Sequence, residues 1–229
     1  MRIRVDVDTK AETMHWADVF GPARAVAYTL LRSQNGELAR SLHDEGWRGD
    51  PMRPFGLTCP QFRGAPRRRG VYTTSDRGAV WFGSPMPEIA GPMAAALHRH
   101  DSLRWGRTVL RVREVRVETA EPTAGGEVEL TTATPVLVKY DNQFIEPTHP
   151  AFLGRLAHNL RHKADVLGLP APQDLVLVDS GPRRRFLVQG APRIGAVIRV
   201  RLSADPRFVE AIRSWGLGLG NNQGFGWIR

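Results

Sequence analysis

The sequence holds a single cysteine, Cys59. That scarcity excludes an internal disulfide framework and a thiolate metal cage. No run of about 18 apolar residues exists, so nothing reads as a membrane-spanning helix. The opening stretch, "MRIRVDVDTK", is charged and alternating and lacks the apolar core of a signal peptide. The expectation is a soluble cytoplasmic chain. Acidic residues are in deficit: 23 Asp and Glu face 32 Lys and Arg, a formal charge of +9. A compact chain this basic is biased toward a polyanion: nucleic acid, an acidic membrane surface or an acidic protein. What is present suffices for real cores. Apolar residues make up 41% of 229, which argues against disorder. The length suits one large domain or two of roughly 100 residues each.

Ile3, Val5 and Val7 alternate with charged residues, a strand pattern. The period then changes in "FGPARAVAYTLLRSQNG". Ala23, Val26, Ala27, Leu30 and Leu31 follow i, i+3, i+4, i+7, i+8, one face of a helix that Asn35-Gly36 stops. A shorter helix, "ELARSLHDEG", follows. Next come strand-like runs "FGLTCPQF", "GVYTT" and "GAVWFG", a helix in "PEIAGPMAAALHRH", and a long strand in "RTVLRVREVRVET". The order β-α-β-β-α-β is the ferredoxin-like arrangement. The loop "EPTAGGE" divides the chain into domains 1–120 and 127–229.

Beyond that loop the order nearly repeats. "EVELTTATPVLVKY" reads as a strand. "AFLGRLAHNLRHKADVLG" reads as an amphipathic helix with Phe152, Leu153, Leu156, Leu160 and Leu167 inward. "DLVLVDSGPRRRFLVQG" reads as a hairpin with its tip at Ser180-Gly181-Pro182. "GAVIRVRL" is a strand, and "DPRFVEAIRSW" a helix capped by Asp205 and opened by Pro206. A glycine loop and a short strand, "FGWIR", finish the chain. The expected fold is α+β: two tandem ferredoxin-like domains with a C-terminal glycine-rich loop.

That loop, "GLGLGNNQGFGWIR", places Gly216, Gly218, Gly220, Gly224 and Gly226 within eleven residues. A dinucleotide fingerprint or P-loop needs a strand before the glycines and a helix after them. Here a helix precedes, only nine residues follow Gly220, and no Gly-Lys-Ser/Thr is present. Phe225, Trp227 and Ile228 call for burial, which argues against a loose tail. What remains is an ordered loop whose backbone approaches a neighbour closely. From composition, that neighbour is either phosphate or the protein's own other half.

"WGLGLGNNQGFGWIR" resembles the C-terminal glycine-rich signature of the Cas6 family in the RAMP superfamily. These are the CRISPR-associated endoribonucleases that cut precursor CRISPR RNA within each repeat. "AVAYTLLRSQNGELARSLHDEG" resembles the family's first two helices and "MPEIAGPMAAAL" a later helix entry. "TTATPVLV" and "AHNLRHK" resemble the strand and helix of the second half. The resemblance implies two ferredoxin-like domains, cleavage without metal or other cofactor, and products with a 5′-hydroxyl and a 2′,3′-cyclic phosphate. The implied partners are repeat RNA, as precursor and as mature guide, and other subunits of a CRISPR complex.

A metal-free ribonuclease needs a base for the ribose 2′-OH, an acid for the leaving 5′-oxygen and a cation for the crowded phosphorane. Histidine suits the proton work. His43 ends the second helix, where a solvated histidine is the ordinary reading. The resemblance places the family's general base here, after a leucine and before an acidic residue. Tyr28 lies 15 residues earlier. It shares a helix face with Arg24 and Arg32, off the apolar stripe, and is expected to be exposed; packing against the other domain is the alternative. Arg53 in "GDPMRPF" stands where one branch of the family has a lysine, with Arg48 as its rival. Arginine anchors phosphate oxygens but is a poor acid, so water or a second histidine is left as proton donor. His15 is the runner-up base.

RNA-binding candidates are the five loop glycines and Arg183, Arg184 and Arg185 at the expected hairpin tip, where an Arg fork can meet phosphate or guanine. A solvated turn is the alternative, and Arg67 to Arg69 share that ambiguity. Arg155, Arg161 and Lys163 read as a solvated helix face. His98 and His100 point apart on a helix and have no carboxylate cluster beside them, so no metal site is expected. Two other functions compete. One is a non-catalytic RNA-binding RAMP subunit of a CRISPR interference complex, against which the Tyr28–His43 pair argues. The other is a basic protein for an acidic partner, which leaves the terminal loop without a role.

Overall fold

The computed structural model describes residues 1–66, 68–119 and 126–229. Arg67 and most of the dividing loop, 121–125, lie outside the described residues. The N-terminal half runs β1 (Arg2–Asp8), β2 (Thr13–Met14), α1 (Trp16–Phe20), α2 (Ala23–Gln34), α3 (Gly36–Asp44), β3 (Gly56–Leu57), β4 (Gln61–Phe62), β5 (Tyr72–Thr73), β6 (Gly78–Gly83), α4 (Pro87–Arg99), β7 (Ser102–Trp105) and β8 (Thr108–Glu118). Its sheet has the order β3-β6-β1-β8-β7 with antiparallel neighbours. Without the edge strand β7, which the sequence pattern did not separate, this is the ferredoxin-like order. Ile3, Val5 and Val7 of β1 face one core with the predicted stripe of α2 and with Ile89 and Met93 of α4. Asn35 both ends α2 and caps α3, its side chain accepting the Leu38 N–H. One residue thus sets the elbow between the two helices that carry the candidate site.

The C-terminal half runs β9 (Gly126–Thr131), β10 (Val138–Tyr140), β11 (Gln143–Ile145), α5 (Phe152–Leu167), β12 (Asp174–Ser180), β13 (Arg184–Val188), β14 (Ala191–Gly195), β15 (Ile198–Ala204) and α6 (Pro206–Trp215), then a single 3-10 turn at Asn221–Gln223. Its sheet is β12-β15-β9, and Thr132 just past β9 bridges Ile228. The second ferredoxin-like strand order is therefore present, with its last strand reduced to one bridge. Asp205 caps α6, its carboxylate accepting the Arg207 N–H.

Four expectations are corrected. Residues 174–190 are not one hairpin. β12 pairs with β15, where Leu175 and Leu177 meet Leu202 and Val200. β13 pairs instead with β14 around a two-residue turn, Gln189-Gly190. Both turn residues have positive φ, the geometry that matches strand twist in such hairpins. Arg183 to Arg185 thus sit at the hairpin's open end, not its tip. The run "EVELTTATPVLVKY" breaks after β9, because Ala133 and Pro135 bond the C-terminal segment at Trp227 and Gly226. "FGWIR" forms no regular strand, yet Phe225, Trp227 and Ile228 are all buried. On α5, Leu153 and Leu167 are only half-buried, whereas Lys163 is fully buried. Lys163 sits at i+7 from Leu156 and i+3 from Leu160, on the inward stripe rather than a solvated face.

A third small core joins the halves. Phe20 stacks on Phe225 with centroids 4.5 Å apart and planes 10° apart, and Phe186 meets both edge-on. No described helix is long and apolar enough to cross a membrane.

Candidate active site and RNA-facing surfaces

Three elements bring Tyr28, His43 and Arg53 together. Tyr28 stands on α2, His43 in the last turn of α3, and Arg53 in the loop that follows. Tyr28 is not exposed as expected; it is 4% accessible. Its face of α2 is covered by α3 and by Phe55, whose ring lies 5.7 Å away edge-on. The His43 ring lies 5.3 Å from Tyr28 at 76°. The Tyr28 hydroxyl donates to the Leu42 carbonyl and accepts from Arg53 Nε, both at 3.1 Å. Burial pushes the phenol's pKa up, and the Arg53 charge and hydrogen bond offset this only in part. It therefore stays protonated at neutral pH.

Arg53 also donates from Nη1 to the Pro51 carbonyl (2.9 Å) and from Nη2 to the His43 carbonyl (2.6 Å). A guanidinium carries five N–H donors. These bonds leave one N–H on each Nη free for an incoming oxygen. The His43 carbonyl belongs to the C-terminal turn of α3, where a cation is electrostatically favoured. The rival, Arg48, sits instead at the tip of a tight turn with positive φ, near Glu88 and over Trp47.

The loop carrying Arg53 is strapped at both ends. The Trp47 N–H donates to the carbonyls of Asp50 and Met52. One carboxylate oxygen of Asp50 accepts the Met52 N–H, and the other lies 2.7 Å from His162 Nε2 on α5. Burial raises the Asp50 pKa, and the hydrogen bonds from His162 and Met52 outweigh it, so the carboxyl ends below its ordinary value.

His43 is 57% exposed at its side chain, with Nδ1 2.9 Å from Asp44 Oδ1. A carboxylate on Nδ1–H leaves the Nε2 lone pair free, the arrangement of an oriented imidazole base. A cavity of about 290 Å3 opens beside it, lined by Arg32, Gly36, Ala39, Arg40, His43 and Asp44. His15 is exposed at the N-cap of α1 and does not line that cavity. His98 is exposed, and His100 Nδ1 lies 2.8 Å from the Ala96 carbonyl. Among the described residues no group of three His, Cys, Asp or Glu is placed to hold a metal ion.

The loop glycines all have positive φ. Gly216, Gly218, Gly224 and Gly226 are buried, with Gly220 half-buried. Their tight approaches are to the chain itself. A Cβ on Gly224 would meet Phe20 Cδ1 at 3.1 Å and Cys59 N at 3.2 Å, and one on Gly226 would collide with the Leu217 carbonyl. Lys163 holds the loop from inside, donating to Gly216 O (2.6 Å) and Asn221 Oδ1 (2.7 Å). Burial drives its pKa well down. Arg183 lies 3.6 Å from Glu146, and Arg184 and Arg185 are exposed. A larger apolar cavity of about 650 Å3 lies between α2, β7 and the β13–β14 turn and shares no residue with the one at His43.

Sequence reasoning missed four groups: Asp44 as the orienting carboxylate, Arg40 beside His43, the Asp50–His162 pair and the buried Lys163. Asp44 and Arg40 had a signal, adjacency and a one-turn spacing to His43. Asp50 and His162 are 112 residues apart, and nothing local marks them.

Residues 118–229 match the family model described as CRISPR associated protein Cas6, C-terminal. No curated protein matches the chain by sequence. Among solved structures, a Cas6-related protein of Pyrococcus furiosus is similar at 16% identity and TM-score 0.83, covering 100% of this chain and 97% of that one. A structure titled a RAMP protein binding different RNA substrates is similar at 17% identity and TM-score 0.83, covering 100% and 98%. A Cas6 product complex, of a Thermus thermophilus protein, is similar at 16% identity and TM-score 0.64, covering 100% and 98%. At these identities the structural likeness carries the fold.

Proposed function

We propose that this chain, whose residues 118–229 match the family model described as CRISPR associated protein Cas6, C-terminal, is a member of that family and an endoribonuclease cutting precursor CRISPR RNA within the repeat. One observation carries the reading: an exposed, carboxylate-oriented His43 stands beside an Arg53 pinned with N–H donors to spare. His43 Nε2 takes the proton of a ribose 2′-OH. The 2′-oxygen forms a bond to the adjacent phosphorus as the bond to the 5′-oxygen breaks. The products are a 2′,3′-cyclic phosphate and a 5′-hydroxyl. The free Nη protons of Arg53 meet the non-bridging oxygens as charge builds on them. Arginine is too weak an acid to protonate the leaving oxygen, so water reaching this exposed site supplies that proton. Tyr28 is a positioning residue: it fixes Arg53 and backs the His43 ring without touching RNA. A base, a cation and the RNA's own 2′-OH complete the reaction without a metal.

Residues 1–120 carry this site, and 127–229 carry the hairpin and the loop. Arg184 and Arg185 are the proposed phosphate contacts of the hairpin. The five glycines act on RNA indirectly, by seating the loop that joins the halves. Related structures described as a product complex and as binding different RNA substrates support RNA as the ligand. The rival reading, an RNA-binding subunit that cuts nothing, draws on the burial of Tyr28, which removes one exposed group; the His43–Asp44 pair stands against it. The test is incubation with labelled repeat RNA in EDTA. Cleavage is expected, and none when the nucleotide before the cut is a 2′-deoxyribose. Activity that vanishes in EDTA and returns with magnesium would overturn the metal-free chemistry.

A further inference from the structure

A second concave surface, in the C-terminal half, gathers groups of a different kind. A cavity of about 440 Å3 lies between the β10–β11 hairpin, the turn at His149 and the entry to β13; Tyr140, Phe144, His149 and Arg183 line it. Tyr140 is 46% exposed. Its ring lies 5.6 Å from that of His149, tilted by 44°. The hairpin that presents it closes on a tight turn. Asp141 and Asn142, the two residues between the paired Tyr140 and Gln143, both have left-handed φ. That is the two-residue turn matching strand twist, built from the non-glycine residues that tolerate it best. His149 Nδ1 accepts the Ala151 N–H at 3.1 Å, which leaves Nε2 as the ring's available donor.

Cations crowd the same hairpin. Lys139 Nζ and Arg193 Cζ each lie 5.0 Å from the Phe144 ring centroid, and Arg155 donates to the Lys139 carbonyl. Two acids are also present, Asp141 and Glu146, the latter 3.6 Å from Arg183. An exposed aromatic face with cations around it and a polar donor within it is the chemistry that holds an unstacked base and its phosphate. An acidic peptide would meet the same cations and acids but would find no use for the exposed aromatic face, which favours a base.

We propose that this cavity binds one unpaired nucleotide of the RNA, its base stacked on Tyr140 beside His149 and its phosphate held by Arg183. The proposal rests on RNA being the ligand but not on cleavage. It is tested with a mixed-sequence single-stranded RNA of about 12 nucleotides by fluorescence anisotropy at fixed salt. Tyr140→Ala should weaken binding at least about fivefold, the scale of a lost base–aromatic stack, while Tyr140→Phe binds as the wild type does. The wild-type protein provides a second readout that needs no variant. RNA carrying 4-thiouridine should cross-link to the tryptic peptide 140–155, bounded by Lys139 and Arg155. Unchanged affinity in a folded Tyr140→Ala protein, or cross-links that miss that peptide, would overturn the proposal. Absence of cutting with both readouts as expected would overturn only the nuclease reading.

Discussion

Gly224→Val tests what the glycine loop is for. Gly224 holds φ at +96°, and a Cβ there would stand 3.1 Å from Phe20 Cδ1 and 3.2 Å from Cys59 N. A β-branched residue in left-handed backbone costs about 1–3 kcal/mol. Phe20 could shift to make room, but it is stacked on Phe225 at 4.5 Å, so relief at one contact disturbs the seam between the halves. Cys59 N is backbone and cannot swing away. The two effects together come to about 2–4 kcal/mol, with strain and small-to-large misfit each taken in the lower half of its range. For a chain of this length that lowers Tm by about 5–15 °C. The assay is a thermal melt of wild type and variant, with RNA affinity measured well below both midpoints. A large drop in Tm with affinity changed less than about tenfold is expected. An unchanged Tm with affinity down more than tenfold would refute the seam reading and place the loop's backbone directly on RNA.

Tyr28→Phe removes the hydroxyl that accepts from Arg53 and donates to Leu42. Cutting should slow by about tenfold, one mispositioned group's worth, with RNA affinity retained; full activity would show that Arg53 needs no such anchor. Asp50→Asn should lower the denaturant midpoint at neutral pH by weakening the bond to His162. Because the Asp50 pKa is depressed, its contribution is fully present above the ordinary value of 3.8 and is lost as pH falls through the lower folded value. The gap between wild type and variant should therefore close only in acid below that value; a gap independent of pH would exclude this carboxylate as its source.

Much of the fold was legible because period and capping are local. The stripe of α2, the alternation of β1 and the Asp205-Pro206 helix start follow from side chains a few residues apart. Partner choice was not. Whether Ser180-Gly181-Pro182 folds a strand back or sends it elsewhere depends on Leu202 and Val200 in β15, which accept Leu175 and Leu177. The same holds for Lys163. Its charge suggested solvent, but its position on the wheel is inward, where Gly216 and Asn221 offer acceptors from a loop some fifty residues on. Of the candidate site, His43 and Arg53 were marked by the family resemblance. The burial of Tyr28 was not, because the face that covers it belongs to the next helix and to Phe55.

In the proposed reaction His43 is the base of a metal-free cut. Single-turnover cleavage of labelled repeat RNA in EDTA tests it most directly, comparing wild type with His43→Ala at saturating protein. The variant should cut at least about 100-fold more slowly, the usual scale for a lost general base, with RNA affinity nearly unchanged. A His43→Ala protein that cuts at the wild-type rate, with His15→Ala inactive, would contradict it.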